Sequence, residues 1–380
     1  MAYVREGLQA YVRENFTRKL FSPFAKFRPM LTFMGMNSVE KMTKLGRPNT
    51  AAVFGDLSRL GRGELRRLGH SSAIFWNYQK FEPNDGEVVL HRGSTPTAST
   101  FGEDNAGQLE LRWTHYMEPM KVGKSSLDDA TGASAIMSIL DNASAICLER
   151  LLKRVNSDLL SGTLTEAQQN LVRWENMLGL EHVLDTTTAA KNVYGRVDRS
   201  VETNLRGAAL LAGGGGSDHV PAIIGLDLVD YVNHGGTPGS GAQVEGRAAR
   251  SPDGAGCNLH ITTPKLWQKL REEAEGRYTI QIPSLPTNAA IGARKPAIRY
   301  GDSWITYDDD VSSGTLLSTR IESWVLEVDP RYNFVPQPFV LKSEVEEGGE
   351  FVEWSQVHAK LRLSCREPWL NCKTTGLTVA

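Results

Sequence analysis

The stretch that most constrains the fold is "SSLDDATGASAIMSILDNASAICLERLLKRVNSDLLSG", residues 125–162. Apolar or small side chains recur in it every three or four residues, which is the period of one face of an α-helix. Ser126 and Asp129 form a pattern typical of a helix start, and Gly162 is typical of a helix end. At 1.5 Å per residue such a helix is about 55 Å long, close to the diameter of a compact globule of this chain length. A flat or elongated subunit is favoured, although long helices also occur in ordinary α/β enzymes.

Composition places the chain among soluble globular proteins, since 40% of its 380 residues are hydrophobic and 23% are charged. No run approaches the roughly 18 apolar residues of a membrane span, and the charged N-terminal stretch lacks the apolar core of a signal peptide. We therefore expect no membrane contact and a cytoplasmic location. The four cysteines, Cys147, Cys257, Cys365 and Cys372, show no paired C-x-x-C spacing, so we expect free thiols.

Basic charge is concentrated at the front of the chain. Residues 1–70 hold 13 Lys or Arg against 5 acids, whereas the whole chain has 42 against 44. Apolar residues at helical spacing are then interrupted by Pro23 and Pro29, which is typical of an arm and not of a domain. The arm would contact either nucleic acid or acidic surfaces of neighbouring or assisting proteins, and we favour the proteins.

Strand-like and helical segments follow in a definite order. Aromatic-rich runs between Ser71 and Met120 flank a middle rich in Pro, Asn, Gly and Thr, which predicts a long β-ribbon. Residues 163–180 predict a second helix that starts with a capping box at Thr165 and Gln168.

Helices and strands mix from about residue 181 to 330. The stretch 219–234 is helical by its period, and 257–276 predicts a strand followed by a helix with Thr263 as N-cap and Pro264 at its first position. The last fifty residues or so return to strand-like alternation and are expected to pack on the long helix.

Motifs for nucleotide or zinc chemistry are incomplete. The glycine run 213–216 lacks the phosphate-loop and dinucleotide patterns, so we interpret it as a connector followed by a helix capped by Ser217 or Asp218. Cys257 and His260 supply half of a zinc spacing without the other half, and a core or loop role is favoured.

Three adjacent acids, Asp308, Asp309 and Asp310, could hold a calcium ion. They lack the alternating spacing and the glycine of a calcium loop, so a solvated turn is favoured and a metal there stays open. No G-x-S-x-G elbow is present, and the histidines have no Cys or Ser partner motif. The sequence therefore predicts no catalytic, cofactor-binding or metal-binding residues.

Three stretches resemble a known family: "NVYGRVDRS" at 192–200, "CNLHITTPKLWQKLREE" at 257–273 and "IESWVLEVDPRYNFVPQPF" at 321–339. Together with the order of elements, they resemble the tailed-bacteriophage major capsid protein of the Hong Kong 97 type. Arg196 stands where that family usually has a second glycine after Tyr194 and Gly195.

The resemblance implies an α+β fold built around a spine helix. Its implied parts are an N-terminal arm (1–70), an extended β-ribbon loop (71–120), a peripheral domain with the spine helix (121–180), an axial α/β domain (181–330) and return strands of the peripheral domain (331–380).

The function implied is that of a structural protein, not an enzyme. Copies would self-assemble into hexamers and pentamers of an icosahedral virion capsid around double-stranded DNA, bound without sequence preference, after assembly in the host cytoplasm. Scaffold, portal and cement proteins are possible partners, and no cofactor is implied. Two alternatives stay open: an encapsulin-like cargo shell of the same fold, and a soluble α/β enzyme, which requires convergent titratable groups that the sequence does not show.

Four further expectations follow from the resemblance. The ribbon makes chiefly intersubunit contacts, because its apolar side chains are more than an exposed hairpin can leave uncovered: Ile74, Phe75, Trp76, Leu109, Leu111 and Trp113. The glycine-rich segment 234–256 lies at the ring centre. Shells form without covalent crosslinks, because the ribbon's single lysine, Lys80, lies near its base, and Asn371 and Glu367 are explained by ordinary surface roles. No large scaffolding segment is expected to be fused ahead of the ribbon.

Overall fold

We analysed a computed structural model of the chain. It describes residues 30, 64–67, 73–79, 106–123, 133–184, 193–200, 205–212, 222–234, 256–277, 297–301, 303–336, 340–343 and 351–379. The helices in these ranges are α1 (Ala133–Ser161), α2 (Glu166–Gln169), α3 (Leu180–Leu184), α4 (Leu226–His234) and α5 (Pro264–Arg277). None of these helices is long and apolar enough to cross a membrane.

The strands of the described residues follow in chain order. They are β1 (Glu64–Arg67), β2 (Ala73–Gln79), β3 (Ala106–Arg112), β4 (Thr114–Gly123), β5 (Val193–Tyr194), β6 (Val197–Asp198), β7 (Ala208–Leu211), β8 (Leu259–Thr262), β9 (Ala297–Tyr300), β10 (Ser303–Tyr307), β11 (Leu316–Thr319), β12 (Trp324–Pro336), β13 (Val340–Ser343), β14 (Phe351–Cys365) and β15 (Cys372–Thr375).

The predicted long helix is confirmed as α1, which is 29 residues and therefore about 43 Å long. Leu151, Val155 and Leu159 are fully buried on its apolar face. The helix ends at Ser161, as Gly162 predicts, and the reason is steric. A Cβ at Gly162 would lie 2.2 Å from the Met177 carbonyl oxygen, so only glycine fits this close approach. Residues 125–132 of the predicted helix lie outside the described residues.

The first sheet, five-stranded among the described residues, packs against α1. Strand order is β1-β12-β14-β13, and β4 pairs with the other edge of β14. The face of β4 that carries Tyr116, Met120 and Val122 is buried in the core cluster that includes α1. Strand β1 lies within the predicted arm and pairs in parallel with residues 325–328 of β12.

The second sheet is six-stranded among the described residues, with order β7-β15-β11-β8-β10-β9. Helices α4 and α5 supply Leu228, Val229 and Leu270 to a second core cluster on this sheet. The predicted strand and helix in 257–276 are confirmed as β8 and α5, and Trp267 N–H donates to the Thr263 carbonyl oxygen at the start of α5. In contrast to the expectation for 331–380, β15 joins this second sheet.

The base of the predicted ribbon is confirmed, since β2 and β3 pair antiparallel from Ala73↔Arg112 to Gln79↔Ala106. The ribbon does not extend to Met120, because β4 pairs along its whole length with β14. Leu109, Leu111 and Trp113 are buried within the same subunit. The argument that these three side chains need a neighbouring subunit is therefore wrong.

The predicted helix over 163–180 is wrong beyond its first turn. The capping box is present: the Gln168 N–H donates to Thr165 Oγ1, and Gln168 Oε1 accepts from the Thr165 N–H. Helix α2 nevertheless ends at Gln169, and Trp174 forms an isolated bridge with Thr114. Tertiary contacts with the first sheet override the helical period here.

Likewise, the helix predicted over 219–234 begins only at Leu226, after a non-helical stretch at 222–225. The ribbon's middle with Lys80, the glycine run with Ser217 and Asp218, most of 234–256 and most of the arm lie outside the described residues.

Candidate assembly site

A tight hairpin joins the base of the ribbon to the first core. Strands β5 and β6 are connected by Gly195 at φ 57° and Arg196 at φ 68°, so both turn residues are left-handed. The Gly195 carbonyl oxygen accepts from the Glu110 N–H at 3.1 Å, and Arg196 Nη1 donates to Glu110 Oε2 at 2.5 Å. Glu110 also pairs with Arg112 at 2.8 Å. The arginine at the expected glycine position therefore ties this turn to β3.

The remainder of that hairpin motif is buried. The Tyr194 hydroxyl accepts from the Cys365 N–H at 3.0 Å, which fixes the hairpin to the end of β14. Arg199 donates to the His182 and Val183 carbonyl oxygens at the end of α3, where a helix leaves carbonyls without intrahelical partners. The motif therefore holds elements together.

The face of the first sheet that points away from α1 carries charged pairs. Because side chains alternate along a strand, Arg362 and Lys360 of β14 lie on the face opposite to Leu361. Glu327 lies directly opposite Arg362 in the register, and the two form a fully buried ion pair. Lys360 Nζ lies 3.1 Å from Asp329 Oδ2.

Two histidines continue this face. His115 Nε2 lies 2.9 Å from His358 Nδ1, and the His115 ring is 5.3 Å from the Tyr332 ring. Burial and then the neighbouring His358 lower the pKa of His115, and burial lowers the pKa of His358. Both rings are therefore neutral near pH 7 and share one hydrogen bond.

A buried polar cluster links α1 to the second sheet. Asn156 Nδ2 donates to both oxygens of Asp308 at 3.2 Å and to Asp310 Oδ2 at 2.7 Å. Burial raises the pKa of Asp308 to about 6. The expected solvated turn is therefore wrong for Asp308, which is buried, whereas Asp309 is exposed.

The remaining motif residues occupy separate structural positions. His260 Nδ1 pairs with Ser318 Oγ at 2.8 Å, and burial lowers the pKa of His260 to about 3. Cys257 Sγ donates to the Leu370 carbonyl oxygen at 3.3 Å. The described residues contain no group of three or more His, Cys, Asp or Glu side chains placed to hold a metal ion. All four cysteines are free thiols, as predicted.

Asn371 is not a surface residue, in contrast to our expectation. It is fully buried, and its Oδ1 accepts from the Arg320 N–H at 2.8 Å and from Trp324 Nε1 at 3.0 Å. Its Nδ2 donates to the Glu367 carbonyl oxygen at 2.8 Å. Asn371 therefore holds the start of β12 against the chain before β15.

Comparison with solved structures identifies the fold. A chain of the cyanophage A-1(L) capsid asymmetric unit superposes with a TM-score of 0.56 at 13% identity, covering 95% of this chain and 95% of that chain. The chain has the Hong Kong 97 type phage capsid fold.

Weaker similarity extends to two other shells. The capsid of a native GTA particle gives a TM-score of 0.48 at 12% identity, covering 88% of this chain and 92% of that chain. The encapsulin of Synechococcus elongatus gives 0.44 at 11% identity, covering 84% and 86%. No protein-family model matches the sequence, and a search of curated proteins finds no match.

Sequence patterns did not predict the residues that join the elements of this capsid fold. Asn156 is fully buried beside Asp308. A single buried asparagine leaves no periodic signal in the sequence. The Glu327–Arg362 pair did leave one, because polar residues alternate with apolar residues in "LEVD" (326–329) and in "AKLRLSC" (359–365). The pairing itself became visible only with the strand register.

Proposed function

We propose that this chain is the major shell protein of a virion head. Its copies form hexamers and pentamers that close an icosahedral capsid around double-stranded DNA, held without sequence preference. The observation that carries the proposal is the correspondence to a phage capsid fold over 95% of both chains. A fold alone does not define a function, so assembly is the property to test.

The parts of the fold have distinct proposed roles. Helix α1 with the first sheet forms the peripheral domain, and the second sheet with α4 and α5 forms the axial domain. The hairpin β2–β3 is the base of an extended loop that lies over a neighbouring subunit, and 234–256 surrounds the ring axis. Residues 1–70 are an arm whose strand β1 pairs with β12, and neighbours or scaffold hold the rest of it. Two-stranded ribbons are marginally stable alone in water, which supports a neighbour's contact for the loop.

Other partners follow from that role. A scaffold, a portal and cement proteins are the proposed assembly partners, and the head assembles in the host cytoplasm. We propose no catalytic activity and no cofactor. The buried carboxylates and histidines described above are engaged within the subunit, which supports structural roles for them.

Assembly is tested with the full-length chain, purified over a concentration series with and without a crowding agent. Size-exclusion chromatography and negative-stain electron microscopy should show particles of tens of nanometres built from rings. A discrete small oligomer under all conditions would contradict the proposal. Double-stranded DNA that survives nuclease inside particles from infected or co-expressing cells supports a virion head, whereas a packaged cargo protein supports the encapsulin-like alternative.

A further inference from the structure

An exposed apolar pair projects beside the base of the ribbon. Leu171 is 50% exposed and Val172 is 75% exposed. Their backbone is held in place, since the Leu171 N–H donates to the Gln168 carbonyl oxygen at 3.1 Å and the Leu171 carbonyl oxygen accepts from Arg112 Nη1 at 2.9 Å. Trp174, two residues later, is buried in the first core. We call Leu171 and Val172 the apolar knob.

A cavity of about 450 Å³ lies between the start of α4 and the exposed side of α5. Its apolar wall includes Leu228 and Ile223, and Ile223 is 48% exposed. A cavity of this volume is large enough for a drug-sized molecule and therefore for two aliphatic side chains. We call it the axial pocket. Its wall is braced because Glu273 Oε2 accepts from the Leu226 N–H at 3.1 Å.

The charges around the two features are complementary. The acids that line the axial pocket are Asp227, Glu272 and Glu273, against one base, Lys269. Beside the apolar knob, two arginines, Arg112 and Arg196, share one acid, Glu110. Arg173 is exposed directly after Val172, and the exposed acid Glu175 follows it. Opposite charges around an apolar contact guide its docking and set its register.

The geometry points to insertion of the apolar knob of one copy into the axial pocket of a second copy of this chain. This inference rests on the proposed shell function and names one contact within it. The knob lies beside Trp174 of the first core, and the pocket is lined by Ile224 and Leu228 of the second core, so the contact joins two different surfaces. Such a head-to-tail contact leaves one free knob and one free pocket on every pair of copies, and it therefore repeats around a ring.

Introduced cysteines test the contact. All four native cysteines are buried, so new surface thiols at Val172 and Ile223 should react selectively. Co-assembled V172C and I223C chains, treated with a mild oxidant, should give a band at twice the 41.8 kDa subunit mass that reductant removes. One chain carrying both substitutions should give a ladder of subunit multiples. A matched control is M117C with I223C, since Met117 is 56% exposed and lies outside the knob.

Each outcome of the crosslinking experiment has a distinct meaning. Crosslinking of V172C with I223C, absent from the Met117 control and from either variant alone, supports the inference. A dimer from V172C alone as abundant as from the pair would show a symmetric contact and overturn it. Particles that form normally without any crosslink between V172C and I223C overturn the inference and leave the shell function standing. If wild type forms no particles at all, the shell function itself fails.

A charge reversal tests the contact through assembly. R173E should raise the protein concentration needed for assembly roughly tenfold, the effect expected of an important interface residue. E272R should do the same, and the double variant R173E/E272R should restore assembly to within about threefold of wild type. Both side chains are exposed, so circular dichroism of the subunit should not change. Independent, additive losses in the double variant would overturn the pairing.

Discussion

Asn156 faces two carboxylates with the two hydrogens of one amide nitrogen, although three carboxylate oxygens lie within 3.2 Å of it. Asp308 Oδ1 also accepts from the Asp310 N–H at 3.0 Å, so three donor hydrogens serve these three oxygens. The raised pKa of Asp308 has burial as its main cause, with the Asp310 and Asp309 charges adding to it. Elsewhere in the same turn, the Ser312 N–H donates to Glu181 Oε1.

The free energy of unfolding should therefore decrease as the pH rises through the titration of Asp308. Its pKa rises from 3.8 when unfolded to about 6 when folded, so between these values the native state keeps a proton that the unfolded state has lost. Stability declines through that window and stays lower above it, by about 3 kcal/mol. D308N should remove most of this decline and be more stable than wild type at pH 7, measured by urea unfolding of unassembled subunits from pH 4 to 7.5. D309N, at an exposed position, should keep the wild-type slope; equal slopes for wild type and D308N would contradict the prediction.

Arg196 combines an unfavourable backbone with favourable side-chain contacts. A left-handed conformation costs a non-glycine residue about 1 kcal/mol, and the partly exposed ion pair with Glu110 contributes about 0.5 kcal/mol or slightly more. R196A keeps the cost and loses the pair, whereas R196G loses both. We expect R196G to be more stable than R196A by about 1 kcal/mol and close to wild type in thermal unfolding. Equal stability of the two variants would show that the turn carries no backbone strain.

At the scale of elements, close packing between α1 and the following segment requires glycine at one position. G162A would place a methyl group against the Met177 and Asp158 carbonyl oxygens, at 2.2 and 2.3 Å, and the backbone must move to accommodate it. A loss of about 3 kcal/mol or more is expected in chemical unfolding. G301A is the matched control, because Gly301 has φ 57° but open space around its Cβ, and it should cost only about 1 kcal/mol. Similar losses in both variants would argue against the steric explanation.

The pairing of β12 with β14 buries an ion pair that also reaches the ribbon. Arg362 Nη1 donates to the Leu111 carbonyl oxygen at 3.0 Å, and the Arg362 guanidinium lies 4.1 Å from the Trp113 ring centroid. Burial lowers the pKa of Arg362 to about 10, although Glu327 opposes that shift. The ion pair therefore connects three strands of the first sheet region.

Breaking this ion pair from one side should be more damaging than removing it whole. R362M leaves the Glu327 charge buried without its main partner and should cost about 3–5 kcal/mol. The double variant E327L/R362M removes both charges and should recover at least half of that loss in urea unfolding. If the double variant loses as much unfolding free energy as E327L and R362M lose together, the two side chains contribute independently and the prediction is wrong.

At the scale of the whole molecule, the base of the ribbon is part of the subunit core, whereas folding of the subunit should not require the ribbon's outer part. Leu109 and Leu111 are buried by their own chain, so deleting residues 84–106 should leave a folded subunit with near wild-type thermal unfolding. Assembly should be impaired, because the deleted part is the proposed contact with a neighbouring subunit. Shells of normal yield and heat stability from the deletion variant would show that the ribbon is not an interface element.

Much of the fold was predictable where the signals are local. Helix α1 and the β8–α5 unit were predicted because their hydrophobic period and end signals come from neighbouring residues. The helix over 163–180 was not, since its period is genuine but Trp174 bridges to Thr114 sixty residues away. For the same reason the solvated turn at Asp308 failed, because its burial depends on a helix about 150 residues earlier in the chain.

The sequence by itself determined the long helix, its stop at Gly162, the β8–α5 unit and the free cysteines, because each depends on spacing within a few residues. Only the tertiary structure decided that β15 leaves the first sheet for the second, that Asn371 is buried, and that Glu327 faces Arg362. These features depend on strand register and on burial by distant segments. The local pattern of a strand does not identify its partner, since each of these contacts is made with a segment far away in sequence.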